Sequence, residues 1–229
     1  MTKISAGSYD LNKWLYGGYE SDIITIFYGG SGTGKTNFCM IAAASQAKKG
    51  NKVLFIDSEG GFSVERIKQL APDNYQNVLK NILLLKPTNF EEQREVFKKI
   101  NNYLKNEVTL IVVDGITILY RLDFSSAREK SREEMLKVSG ELAGQMRTLA
   151  EISRKKNIPV IITNQVYNWE DSKKMVGGDI LSYWGKCLIE LDNNKGVRTA
   201  HLRKHRSLPE KSLDFQIVDS GIKKRGWFN

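Results

Sequence analysis

Short apolar runs alternate along this chain with longer stretches of helical periodicity, and that alternation predicts a mainly parallel sheet with crossover helices. Ile23-Ile24-Thr25-Ile26-Phe27-Tyr28 is β-branched and aromatic, a first strand, and residues 37–49, Ala-rich in the middle, read as the helix after it. Val53-Leu54-Phe55-Ile56-Asp57 is the second strand, and Ile82-Leu83-Leu84-Leu85, ended by Lys86-Pro87, is the third. Residues 90–105 form an amphipathic helix, and Leu110-Ile111-Val112-Val113-Asp114 is a buried strand ending in a carboxylate. A long helix over 131–156 sets Met135, Val138, Leu142, Met146, Leu149 and Ile152 near one face, with Ser131 and Glu134 placed for a capping box. Residues 159–163 make the next strand. After Gly178 the style changes. Runs at 187–191, 198–203 and 213–217 are joined by turns at Asn193-Asn194-Lys195-Gly196 and Ser207-Leu208-Pro209, which predicts an antiparallel extension of the sheet. There is no internal repeat and no linker, so one domain is expected over residues 1–229.

Composition changes this picture little. The hydrophobic fraction of 41% and charged fraction of 27% are ordinary for a globular chain. No apolar run reaches the 18 or so residues of a membrane span, and the first residues hold no apolar secretory core. Cys39 and Cys187 fall in a predicted helix and a predicted strand, the pattern of buried free thiols in a reducing, cytoplasmic setting. No Cys/His spacing suggests zinc. Charge matters more. The net charge is +9 and the pI about 9.4. The last 35 residues hold nine Lys/Arg against three Asp/Glu. Either a polyanionic partner or a solvated basic surface accounts for that excess.

The candidate chemistry begins at Gly29-Gly30-Ser31-Gly32-Thr33-Gly34-Lys35-Thr36, which fits the phosphate-binding pattern G-x-x-x-x-G-K-[ST]. Glycines let backbone N–H groups approach phosphate oxygens closely. Lys35 supplies a point charge to the outer phosphates, and the Thr36 hydroxyl is a ligand for Mg²⁺. The helix that follows points its positive end at the anion. Strand, glycine loop and helix occur in the required order, so a nucleoside triphosphate with Mg²⁺ is the expected ligand.

Three strand ends extend the constellation. Asp114 is expected at the Mg²⁺ site, acting through water. Glu59, just past the second strand, is the candidate to orient the attacking water. Gln165, in Ile162-Thr163-Asn164-Gln165, has an amide able to bond the terminal phosphate and report its loss. A fourth segment, Arg203-Lys204-His205-Arg206, is too cationic for a buried strand. It can serve a phosphate in this or a neighbouring subunit, serve nucleic acid, or be a basic turn.

Together these residues resemble the RecA/RadA recombinase superfamily. The resemblance runs through Gly7-Ser8 and Gly17-Gly18, the glycine loop, Phe55 to Phe62 with Glu65-Arg66, Tyr120-Arg121, Ile162 to Val166, Gly177-Gly178-Asp179-Ile180 and Leu208-Pro209-Glu210. It implies an α/β RecA-like P-loop NTPase core. By resemblance, Glu59 activates water, Gln165 senses the γ-phosphate at the start of a second DNA-binding loop, Arg66 lies against adenine, and Lys35, Thr36 and Asp114 serve ATP and Mg²⁺. That loop, residues 166–176, is short but holds Tyr167 and Trp169 beside Lys173 and Lys174. Further DNA contacts are expected at Arg121, Arg128 and Arg132, at Lys204, His205 and Arg206, and at Lys223, Lys224 and Arg225. The chain starts at the ATPase core, where recombinases carry a helical DNA-binding module. Lys204 stands where archaeal recombinases have an Asp. These departures are similar to the RadB family of archaeal RadA paralogues. That resemblance implies an ATP- and DNA-binding accessory protein of recombination and repair, with weak ATPase activity and no strand exchange of its own. It implies a RadA-type recombinase, a Holliday-junction resolvase or a second copy of the chain as partners. An active DNA-stimulated recombinase or motor ATPase, and a KaiC-like signalling ATPase, are the alternatives.

Overall fold

The computed structural model describes residues 2–169 and 172–226, with residues 106, 168, 169, 172 and 173 described by backbone alone. In chain order the elements are β1 (Lys3–Ile4), α1 (Tyr9–Trp14), β2 (Tyr19–Glu20), β3 (Ile24–Gly29), α2 (Lys35–Ala47), β4 (Lys52–Asp57), α3 (Val64–Leu70), α4 (Tyr75–Lys80) and β5 (Ile82–Leu85). Then follow α5 (Phe90–Lys98), α6 (Ile100–Tyr103), a 3-10 turn (Leu104–Asn106), β6 (Val108–Asp114), α7 (Ile118–Lys130) and α8 (Arg132–Lys156). The chain continues through β7 (Val160–Trp169), β8 (Ser172–Met175), α9 (Gly178–Trp184), β9 (Cys187–Asn194), β10 (Val197–His205), β11 (Lys211–Val218) and β12 (Gly221–Lys224).

The main sheet runs β12-β11-β10-β9-β3-β7-β6-β4-β5. Strands β9, β3, β7, β6, β4 and β5 are parallel, and β10, β11 and β12 add on antiparallel. The central strands read as unbroken apolar runs because helices cover both faces. Successive residues feed opposite cores. Phe27, Val53, Phe55, Val112 and Ile161 pack under α2, while Ile26, Leu54, Ile56, Val113 and Ile162 pack under α8. An aromatic chain, Tyr19–Phe27–Phe38–Phe215, with ring centroids 6.1, 4.6 and 5.2 Å apart, ties α2 to the antiparallel extension. Among the described residues no helix is long and apolar enough to cross a membrane.

The structure corrects four sequence-based expectations. The helix over 90–105 breaks at Lys99 (φ −97°, ψ 3°) into α5, α6 and the 3-10 turn. The capping box at α8 is half formed. Ser131 Oγ accepts from Glu134 N at 3.1 Å, but Ser131 N–H already donates to Ala127 O at 3.0 Å to close α7. Strand β7 does not stop at Thr163; it runs on to Trp169 and pairs antiparallel with β8, so the expected second loop is a β-hairpin. Strand β9, grouped with the antiparallel extension, pairs parallel to β3. Both cysteines are free and buried. Burial pushes the Cys187 thiol up to about 12 and the Cys39 thiol well above its ordinary value.

Candidate functional site

Ligands of open parallel sheets bind beyond the carboxyl ends of the strands, and strand register brings the predicted residues together there. Gly29 lies beside Gln165 on one side and Leu191 on the other. Asp57 lies beside Asp114. The glycine loop turns from β3 into α2, with Gly34 at the helix N-cap in the left-handed region (φ 107°) and no side-chain cap. A Cβ there would also come 3.1 Å from Ile217 Cδ1, so a side chain at Gly34 would be both strained and crowded. The first N–H groups of α2 therefore meet no side-chain acceptor of their own.

Lys35 is buried, 5% exposed. Its Nζ donates to Gly29 O at 3.0 Å and Gly30 O at 2.8 Å, holding the ammonium folded back on the loop. Burial pushes its pKa down, and Glu59 and Asp114 pull it back up.

Asp114 is fully buried. Thr163 Oγ donates to its Oδ1 at 2.6 Å and accepts from Gly115 N at 2.6 Å. The other oxygen, Oδ2, is buried without a hydrogen-bond partner. Burial pushes the Asp114 carboxyl up to about 6, against the Thr163 hydrogen bond and the neighbouring Thr36 hydroxyl, which hold it down, while repulsion from Glu59 and Asp57 adds to the rise. A Cβ placed on Gly61 would lie 3.1 Å from Thr36 Oγ1 and 3.4 Å from Asp114 Oδ2. One small space therefore adjoins a hydroxyl and an orphaned carboxylate oxygen, the hard donor set that Mg²⁺ takes. Among the described residues there is no cluster of three or more His, Cys, Asp or Glu side chains able to hold a metal by itself.

Glu59 and Gln165 meet directly. Gln165 Nε2 donates to Glu59 Oε1 at 2.9 Å. The loop carrying Glu59 is held by Asp57, whose carboxylate accepts from the N–H groups of Gly60 (2.8 Å), Gly61 (3.0 Å) and Phe62 (3.0 Å). On the other side, Asn164 Nδ2 donates to Val176 O at 2.9 Å and Val176 N–H donates to Gln165 O at 3.1 Å. The residue whose side chain meets Glu59 thus has its backbone bonded at the base of the β7–β8 hairpin.

Arg66 binds carbonyls. Its guanidinium donates to Val218 O at 2.9 Å and Asp219 O at 3.3 Å, and to Gln69 Oε1 at 2.8 Å, pinning α3 to the β11–β12 turn. The cationic run at 204–206 is engaged within the chain. Lys204 Nζ donates to Ser182 O (2.8 Å) and Gly185 O (2.9 Å) at the end of α9. His205 Nδ1 accepts from Ser207 N (3.1 Å) and Leu208 N (3.2 Å). Arg206 clamps Glu20 (2.6 Å) and Asp22 (2.6 Å). This run stands at the edge of the sheet opposite the glycine loop, because β10 runs antiparallel to β9. Lys204 pairs with Leu188 and Leu188 with Ile26, three residues before Gly29, about 10 Å back along the sheet at ordinary strand rise, and its ammonium is held there by the end of α9.

Among the proposed DNA contacts, Arg121, Arg128 and Tyr167 line one cavity of about 520 Å³ with Tyr120, Phe124 and Gly178. Arg132 is exposed at the start of α8 and Lys174 is exposed on β8. The side chains of Trp169 and Lys173 lie outside the described residues. Lys223 and Lys224 on β12, with Arg225 beyond it, are exposed on the outer edge strand, five strands from β7, about 24 Å away at ordinary strand spacing. Sequence reasoning missed Asp57 and Thr163, which only position others. It also missed Arg198, which lines the cavity over Ser31, Lys35, Thr36 and Glu59.

A family model described as Rad51 matches residues 1–225. A DNA repair and recombination protein RadB from Methanocaldococcus jannaschii is 41% identical over 212 residues, covering 93% of this chain and 98% of that protein. RadB proteins from Methanococcus maripaludis and Methanobrevibacter smithii are 39% and 38% identical, each over 93% of this chain and over 96% and 92% of theirs. A crystal structure of the RadB recombinase superposes with a TM-score of 0.80 at 33% identity, covering 97% of this chain and 99% of that one.

Proposed function

This chain belongs to the Rad51 family, in its RadB branch, and from that membership we propose that it is an ATP- and DNA-binding accessory protein of homologous recombination and repair, with weak ATPase activity and no strand exchange of its own. The observation that carries the reading is the Gln165–Glu59 bond. It joins the nucleotide edge to the base of the hairpin proposed to touch DNA, so a bound nucleotide and the hairpin act on one another through a single amide.

In this reading Lys35 leaves the carbonyls of Gly29 and Gly30 to meet the outer phosphates, and the uncapped N–H groups of α2 bond phosphate oxygens. Thr36 and Asp114 would hold Mg²⁺, which would neutralise charge on the phosphates. Glu59 accepts a hydrogen bond from the attacking water and orients it in line with the terminal phosphate. To do so it must release Gln165, whose amide then bonds the terminal phosphate. That exchange makes nucleotide a conformational switch before it makes it a fuel, and it supports slow turnover. Arg121, Arg128 and Tyr167 contact single- or double-stranded DNA through phosphate pairing and base stacking. A RadA-type recombinase is the proposed protein partner, the cytoplasm the proposed site, and residues 1–229 one functional domain.

The presence of both Glu59 and Gln165 favours a second reading, a DNA-stimulated motor or recombinase. Steady-state ATP turnover with and without single-stranded DNA, beside DNA binding at low salt, separates the two. DNA binding with feeble, DNA-indifferent turnover is expected. Strong stimulation that Glu59→Gln abolishes would establish the motor instead. Lys35→Ala is expected to lose nucleotide binding while keeping the wild-type circular dichroism spectrum.

A further inference from the structure

On β10, residues two apart face the same core. Ala200 and Leu202 are buried in the core under α2, and the next position toward the nucleotide edge is Arg198. It pairs across to Phe215, which packs edge-on against Phe38 of α2 with ring centroids 5.2 Å apart. An apolar stripe thus ends in an arginine where the sheet passes beneath the glycine loop. The long stem of Arg198 can cover Phe215 while its fork reaches outward.

Three observations make this arginine unusual. Its Nε is buried with no hydrogen-bond partner. No carboxylate lies within ion-pair distance of it among the described residues, whereas Arg203, also on β10, pairs with Glu190 at 2.8 Å. It lines a cavity of about 210 Å³ with Ser31, Gly32, Lys35, Thr36 and Glu59. A buried guanidinium N–H without an acceptor carries an unmet cost, and a bidentate phosphate contact, which such a fork is shaped to make, meets it.

We propose that Arg198 is a second cationic ligand of the nucleotide's phosphate chain, acting within the same subunit from the antiparallel side of the sheet. This deepens the nucleotide-binding reading above and rests on it. Lys35 approaches the phosphates from the loop; Arg198 approaches from β10. A bound triphosphate would therefore bridge the parallel core and its antiparallel extension.

The test is equilibrium binding of a fluorescent Mg²⁺–ATP analogue and of inorganic tripolyphosphate to the full chain and to Arg198→Gln and Arg198→Lys. Arg198→Gln is expected to weaken both probes about tenfold to a hundredfold, the worth of a charged hydrogen bond. Arg198→Lys, which keeps the charge but not the fork, is expected to recover part of the loss and serves if the glutamine variant fails to fold. Binding of both probes within twofold of wild type by a folded Arg198→Gln protein, or full recovery of bidentate-strength binding by Arg198→Lys alone, overturns the proposal. So does a loss confined to the ATP analogue, because that would place Arg198 at the base or ribose. Failure of the wild-type chain to bind either probe would instead refute the nucleotide-binding reading beneath it.

Discussion

His205 Nδ1 accepts hydrogen bonds from two backbone N–H groups, so a proton on that nitrogen removes both. Burial pushes its pKa below the ordinary value; Glu20 pulls it up, and Lys3, Arg206 and Lys211 push it further down. The unfolded chain then binds more protons than the folded one as pH falls, so stability present above about pH 6.5 is lost below it. Thermal midpoints should drop between about pH 7.5 and pH 5, and His205→Gln, whose amide oxygen accepts without titrating, should flatten that drop. The two cysteines give a second outcome. With both thiols buried and their pKa values raised, reaction with a thiol reagent should track unfolding rather than thiol exposure. At this scale the glycine loop, Asp114 and Glu59 were legible because each stands at a fixed offset from an apolar run. Arg198 was not, since its meaning depends on which face of β10 it occupies.

Elements reveal where local signals are overruled. Ser131 carries a true cap, yet its own N–H is used to end α7, so Glu134 has no return bond to make. Ser131→Ala should cost about 1 kcal/mol, and Glu134→Ala less, by chemical denaturation. The break at Lys99 left no mark in the periodicity of 90–105, because α5, α6 and the 3-10 turn present apolar residues to one core. Phe97, Ile100 and Leu104 are all buried there. The hairpin β7–β8 was read as a loop because its polar residues hide the period-two pattern that a half-buried strand would show. Lys204, by contrast, has a clear local job. An ammonium on the last carbonyls of α9 is favoured by the helix dipole.

At the scale of the whole molecule the basic residues divide. Arg121 and Arg128 share a cavity with Tyr167, while Lys204 and Arg206 are bound inside the chain. Under the proposed function, the log of single-stranded DNA affinity should fall linearly with log salt. Arg121→Ala and Arg128→Ala should each lower the slope by about 0.7. Lys204→Ala should leave the slope unchanged and lower the melting temperature. Excess charge alone left a polyanionic partner and a solvated basic surface both open and named no face, since charge counts carry no geometry. By itself the sequence determined the alternation of core strands with helices, the antiparallel tail beyond its first run, and a strand–glycine loop–helix unit able to hold phosphate. These are local patterns, written in neighbouring residues. Tertiary structure alone decided that Gln165 touches Glu59, that the cationic run at 204–206 stands across the sheet from the glycine loop, and that Arg198 stands beside it. Each of these depends on strand order and register between segments far apart in the chain, and no short-range pattern encodes them.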